Sequence, residues 1–160
     1  MASDAVAGSN NSSQAPTPFV HRRRVRWGDS DPAAIAYTAR LPEMCMDAIE
    51  AWYRERMGYA WYEQTMDLGL GTPFVHMSMD FRRAVTPRQE LGLRVLLTRM
   101  GGSSLHFLVT AAPLDDPAAI AFEGRFVAAF VKAGVLKAIP VPERFRAVLA
   151  LEVAIAAAVA

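Results

Sequence analysis

Asp31 is the residue of this chain best placed to do chemistry. It stands in the run Trp27-Gly28-Asp29-Ser30-Asp31-Pro32-Ala33-Ala34-Ile35-Ala36-Tyr37, between a strand-like segment and a helical one. The residue before a proline is pushed out of the helical region, while Pro32 restarts the chain with φ already near the helical value. That spacing aims a carboxylate past a helix start, where backbone N–H groups lack partners and carry partial positive charge. Acyl transfer uses both parts: a carboxylate to attack a carbonyl or activate water, and N–H donors to stabilise the oxyanion. The same residue types also build ordinary turns and N-caps, so spacing alone leaves both readings open.

Other reactive side chains offer less. Cys45 is the single cysteine; it allows no intrachain disulfide and agrees with a reducing, cytoplasmic setting. It falls on the apolar face of a predicted helix with no histidine nearby in sequence, which reads as a buried, inert thiol. His21, His76 and His106 have no metal-ligand spacing, so no metal and no cofactor is expected. The run His21-Arg22-Arg23-Arg24-Val25-Arg26 alternates as a strand, and the net charge of +1 gives no reason to expect a nucleic-acid partner. A solvated edge strand accounts for it.

The elements that must position Asp31 follow from periodicity. With 160 residues, 52% of them hydrophobic, the chain suits one domain. Residues 1–18 read as a disordered tail without the features of a signal peptide. A strand over residues 19–26 leads to the Asp31 turn. A helix follows, with Leu41, Met44, Cys45, Ala48, Ile49 and Trp52 on one face and Gly58 as its stop. Strands are predicted over 72–81, 91–100, 105–112 and 119–132, with a hairpin at Gly101-Gly102-Ser103-Ser104, a short extension over 136–139 and a helix after Pro142. The run 147–160 is apolar but short, and Glu152 interrupts it, so an Ala-rich helix or tail is expected rather than a membrane span. The fold class is α+β: an antiparallel sheet of about five strands wrapped around a long central helix.

The run from Trp27 to Ile35 resembles the opening signature of hot-dog-fold thioesterases of the 4-hydroxybenzoyl-CoA thioesterase family, with Ala34 where that family usually has glycine. The resemblance extends to Gly71-Thr72-Pro73-Phe74-Val75 and to Ala138-Ile139-Pro140-Val141-Pro142, giving a domain over residues 19–146. It implies an acyl-CoA thioesterase acting on an aromatic or other compact acyl group. Asp31 would serve as nucleophile or general base, and backbone N–H groups near Tyr37 and Thr38 as oxyanion donors. Thr72, beside Pro73, would reach the acyl site from a neighbouring subunit, and Trp61 would stand by the acyl group. The resemblance also implies a homodimer with each site formed across the interface, or a homotetramer of two such dimers.

Two departures bear on the substrate. Thr38-Ala39 replaces a common Tyr-Pro pair, and Gly101-Gly102-Ser103-Ser104 stands where the 4-hydroxybenzoyl-CoA enzyme has a basic cluster for CoA phosphates. Arg99, Arg82, Arg83 or Arg125 can take that role, since guanidinium suits phosphate. An acyl-carrier-protein or short-chain aliphatic thioester, a hydratase using His76, and a non-catalytic acyl-binding protein are the competing readings.

Overall fold

The computed structural model describes residues 17–160, so the expected tail lies, apart from Thr17 and Pro18, outside the described residues. In chain order the elements are β1 (Phe19–Arg24), α1 (Arg40–Trp52), α2 (Trp61–Leu68), β2 (Leu70–Gly71), β3 (Phe74–Phe81), β4 (Glu90–Met100), β5 (Ser104–Pro113), β6 (Phe122–Ala129), β7 (Val131–Lys132), β8 (Lys137–Ala138) and α3 (Glu143–Ala158). The alternating segments pair antiparallel in the order β1-β4-β5-β6-β3, and β2, β7 and β8 form a small second sheet. Because successive side chains point to opposite faces, Leu91, Leu93, Val95 and Leu97 of β4 and Leu105, Phe107 and Val109 of β5 share the buried face. Against them α1 buries the predicted stripe of Leu41, Met44, Cys45, Ala48, Ile49 and Trp52. Trp52 meets Phe107 edge-on at 5.1 Å. Gly58 ends this helix, after a π-helical turn over Tyr53–Met57, with the left-handed φ of 81° that glycine tolerates best.

Three local differences from the sequence reading have clear causes. The helix starts at Arg40, just after Tyr37 and Thr38 where its first donors are expected, and residues 32–39 form turns. Backbone bonds inside the loop compete with a helix there: Asp31 N–H donates to Ile35 O (3.0 Å) and Ala34 N–H to Asp31 O (2.9 Å). The long strand expected over residues 119–132 breaks at Phe130, whose N–H turns to Ser103 O (2.8 Å) while Val131 and Lys132 pair with β2. A bulge at Val75 puts Phe74 opposite Ala128 and His76 opposite Val127, so Phe74 joins the buried face that simple alternation assigns to Val75.

The apolar C-terminal run belongs to α3, which continues without interruption through residues 146 and 147. Phe145, Leu149 and Ile155 are buried, and Glu152 is buried with them at 4% exposure. Trp52 Nε1 donates to its carboxylate at 3.1 Å, and Arg56 forms an ion pair with it at 3.2 Å. The charge that interrupts the hydropathy of this run thus fastens α3 to the end of α1. Among the described residues no helix is long and apolar enough to cross a membrane.

Candidate active site

The Asp31 loop is held from below by Asp29. The Asp29 carboxylate, 8% exposed as a residue, accepts the Arg26 N–H at 2.8 Å and pairs with Arg23 at 3.2 Å. Its backbone carbonyl accepts the Tyr37 N–H at 2.8 Å, and a bridge between Ser30 and Ala36 closes the loop on itself. The basic strand therefore supplies a structural cation: Arg23 points inward to Asp29, while Arg22 and Arg24 face solvent.

Asp31 stands at the tip of this loop, partly exposed. One carboxylate oxygen accepts the Ala33 N–H at 2.8 Å, which fixes the group's direction and leaves the second oxygen without a partner among the described residues. Ala34 adopts φ of 61°, a left-handed conformation rarely taken by a residue with a Cβ. This is the position where the resembling signature carries glycine. Tyr37 N–H is consumed by Asp29, whereas no acceptor among the described residues takes the Thr38 N–H. Of the two oxyanion donors expected from sequence, only Thr38 is free. Both lie ahead of α1 rather than within its first turn.

The remaining expected residues fall into three grooves. Thr38, Arg82 and Arg83 border one of about 320 Å³. Trp61, Thr72 and Pro73 come together in a second of about 400 Å³, an apolar trough with Met46, Phe74 and Gln64. Arg99 lines a third, broad one of about 540 Å³, formed by the Gly101–Ser104 hairpin and faced by Arg146 of α3. Arg125 takes the acidic partners Asp80 and Glu123 on the outer face of the sheet. His76 and His106 also sit on that face, one on either side of Val127.

The first two grooves lie at opposite ends of β3. Pro73 directly precedes the strand and Arg82 directly follows it, roughly 25–30 Å apart at about 3.3 Å per residue. Strand β3 is an edge of the five-stranded sheet, and Val75, Met77 and Phe81 are 64%, 43% and 51% exposed along it.

The reactive groups elsewhere are subdued. Burial pushes the Cys45 thiol up to about 12, so it is held protonated. Burial lowers His21, with Asp47 opposing the shift, and burial followed by Arg99 lowers His106. Sequence reasoning did not single out Asp29, Gln64 or Arg146 for any role. The motif singles out Asp31 by its place before Pro32, but nothing in it assigns Asp29 the supporting role. Gln64 and Arg146 acquire their surroundings only through tertiary contacts.

A long helix cradled by a five-stranded antiparallel sheet is the hot-dog architecture. The description of the thioesterase-like superfamily matches residues 25–149, and this chain belongs to that superfamily. The structure is similar to that of a thioesterase-superfamily protein from Jannaschia sp. CCS1, with 39% identity and a TM-score of 0.79 over 85% of this chain and 93% of that one. Its fold is also similar to that of a 1,4-dihydroxy-2-naphthoyl-CoA thioesterase from Synechocystis, at 19% identity and a TM-score of 0.74 over 82% of this chain and 95% of that one. A gentisyl-coenzyme A thioesterase shares the fold at 18% identity and a TM-score of 0.70, over 80% of this chain and 99% of that one.

Proposed function

We propose that this protein hydrolyses the thioester of an acyl-CoA carrying an aromatic, 4-hydroxybenzoyl-like or other compact acyl group, releasing the free acid and CoA. The observation that carries this reading is the Asp31 loop, which fixes one carboxylate oxygen on Ala33 N–H and leaves the Thr38 N–H free in the same segment. Asp31 acts in one of two ways. As a nucleophile its carboxylate oxygen bonds to the carbonyl carbon, the carbon–sulfur bond breaks, and water then hydrolyses the mixed anhydride to regenerate the carboxylate. As a base it takes a proton from water, whose oxygen attacks instead, and the departing CoA sulfur ends protonated. In both routes the thioester oxygen becomes an anion, which the Thr38 N–H stabilises.

The working unit is a homodimer, which can pair again into a homotetramer. Pairing of β3 with β3 of a second copy in antiparallel fashion covers Val75, Met77 and Phe81 and satisfies the free strand edge. Because the Thr72 groove and the Thr38 groove lie at opposite ends of β3, that pairing sets one copy's acyl trough beside the other's Asp31 loop. Arg82 and Arg83 then flank the carbonyl end, and Arg99 is left for the CoA phosphates in a separate groove with Arg146. The thioesterases of gentisyl-CoA and 1,4-dihydroxy-2-naphthoyl-CoA, which share this fold, favour an aromatic acyl group.

The test is thiol release from 4-hydroxybenzoyl, benzoyl, phenylacetyl, short aliphatic and long aliphatic CoA thioesters by wild type and Asp31→Asn. Hydrolysis of the aromatic class, reduced at least about a hundredfold in the variant, is expected. No release from any thioester, or equal rates in the two proteins, removes Asp31 from catalysis.

A further inference from the structure

The outer face of the sheet carries a pit that none of the elements around Asp31 uses. Arg94 of β4 and Thr110 of β5 are cross-strand partners, and they alternate with the buried Val95 and Val109, so they stand on the face turned away from α1. On that face the β5–β6 connection folds back over the sheet. Its Leu114, Pro117 and Ile120, with Val20 of β1 and Ala112 of β5, wall a cavity of about 220 Å³. Gly92 also lines it, and its φ is not positive, so the backbone does not call for glycine there. A Cβ at this position would stand 2.9 Å from Leu114 Cδ2 and 3.3 Å from Val20 Cγ1; the glycine lets both walls settle onto the strand. Glycine inside a strand weakens it and marks a place where another group approaches the backbone closely.

The one charged group lining this apolar pit is Arg94, which is half-buried and forms no ion pair among the described residues. Its partners in the row across the sheet are Val20 on one side and Thr110 on the other. Glu123, next in that row beyond Thr110, is taken by Arg125 and Arg82. Thr110, 7% exposed, sets a hydroxyl beside the guanidinium. A guanidinium next to a hydroxyl matches a carboxylate, to which Arg bonds in a charge-assisted, bidentate way. The apolar walls reward a hydrocarbon body, and a neutral molecule of the same shape leaves the guanidinium unpaired. The volume lies below the roughly 300 Å³ at which drug-sized pockets begin, so a single ring or short chain suits it and a nucleotide does not.

We propose that this pit is a second binding site, taking a small monocarboxylic acid whose carboxylate pairs with Arg94 and Thr110 and whose apolar body fills the space over Gly92. Acids of this class are what thioester hydrolysis releases, so the site fills as product accumulates. The inference goes beyond the acyl-CoA reading and does not draw on the Asp31 loop, which leads into α1 on the opposite face of the sheet.

The experiment is calorimetric titration of benzoate and hexanoate, with benzamide as the uncharged control, into wild type, Arg94→Gln, Thr110→Val and Asp31→Asn. Benzoate binds wild type and Asp31→Asn alike, about tenfold or more tightly than benzamide, and Arg94→Gln weakens it by about tenfold or more. Thr110→Val, which keeps the volume, weakens it by a smaller factor. Unchanged thiol release by Arg94→Gln shows that the variant is folded. Absence of binding to wild type, benzamide binding as tightly as benzoate, or full affinity in both Arg94→Gln and Thr110→Val overturns the inference. So does a single benzoate site that Asp31→Asn abolishes. Light scattering in which Arg94→Gln loses a subunit contact assigns the pit to a second copy of the chain and overturns it too. The acyl-CoA reading is judged by thiol release and stands or falls apart from these titrations.

Discussion

The backbone carbonyl of Asp29 accepts the N–H of Tyr37 at 2.8 Å, tying the two arms of the Asp31 loop together just before α1 begins. This bond takes up the Tyr37 N–H and leaves Thr38 as the donor in the proposed oxyanion site. It also makes Asp29 a positioning residue, because the same residue's carboxylate is held by Arg23 and by the Arg26 N–H.

Asp29→Ala removes an acceptor from two donors at once and leaves the half-buried Arg23 guanidinium unpaired. A loss of about 1–3 kcal/mol in unfolding free energy is expected, measured by denaturant titration. Thiol release should fall through kcat more than through KM, because the loop and not the acyl trough loses its geometry. A fall confined to KM would remove Asp29 from this role.

Ala34→Gly should stabilise the protein. Relief of a left-handed alanine is worth about 1–2 kcal/mol, against a glycine entropy cost of about 0.5–1 kcal/mol. A net gain of up to about 1.5 kcal/mol follows, read as an upward shift in the denaturation midpoint. Ala34→Val should shift it downward, since a branched side chain suits that φ least.

Glu152→Ala strands the Trp52 indole N–H and the Arg56 guanidinium. The expected cost is about 1–3 kcal/mol by thermal unfolding, with Glu152→Gln milder because its amide oxygen still accepts from Trp52. Equal unfolding temperatures for Glu152→Ala and wild type would mean that α3 is held by apolar packing alone.

Cys45, pushed up to about 12 by burial, is thiolate in only about one molecule in ten thousand at pH 8. A disulfide reagent should therefore leave the native protein untouched and titrate one thiol after denaturation. Rapid labelling of the native protein would show that the interior around α1 opens.

Met77→Asp sets a charge in the middle of the exposed edge of β3. Light scattering should give a monomer, circular dichroism an intact fold, and the thiol assay little activity, because each proposed site draws on two copies. A monomer that remains fully active would remove the interface from the mechanism.

Much of the fold is local enough to read along the chain. The stripe from Leu41 to Trp52, the stop at Gly58 and the alternation of β4 and β5 each depend on a residue's neighbours in sequence, and helical or strand period exposes them directly. Asp31 before Pro32 is legible for the same reason, as is the resemblance carried by its run. Other features arise where segments distant in sequence meet. Whether residues 32–39 are helix or turns is decided by Tyr37 reaching Asp29 and Ala36 reaching Val85. The phase of Phe74 is decided by a bulge that β6 imposes across the sheet, and the purpose of Glu152 by an indole one hundred residues away. Gln64 looks like a surface residue of a short helix until Thr72 and Trp61 close around it. Local sequence thus determined the elements and the carboxylate before Pro32, and tertiary contacts decided which polar groups are satisfied. A hydrogen bond between remote segments leaves no periodicity in the chain that encodes it.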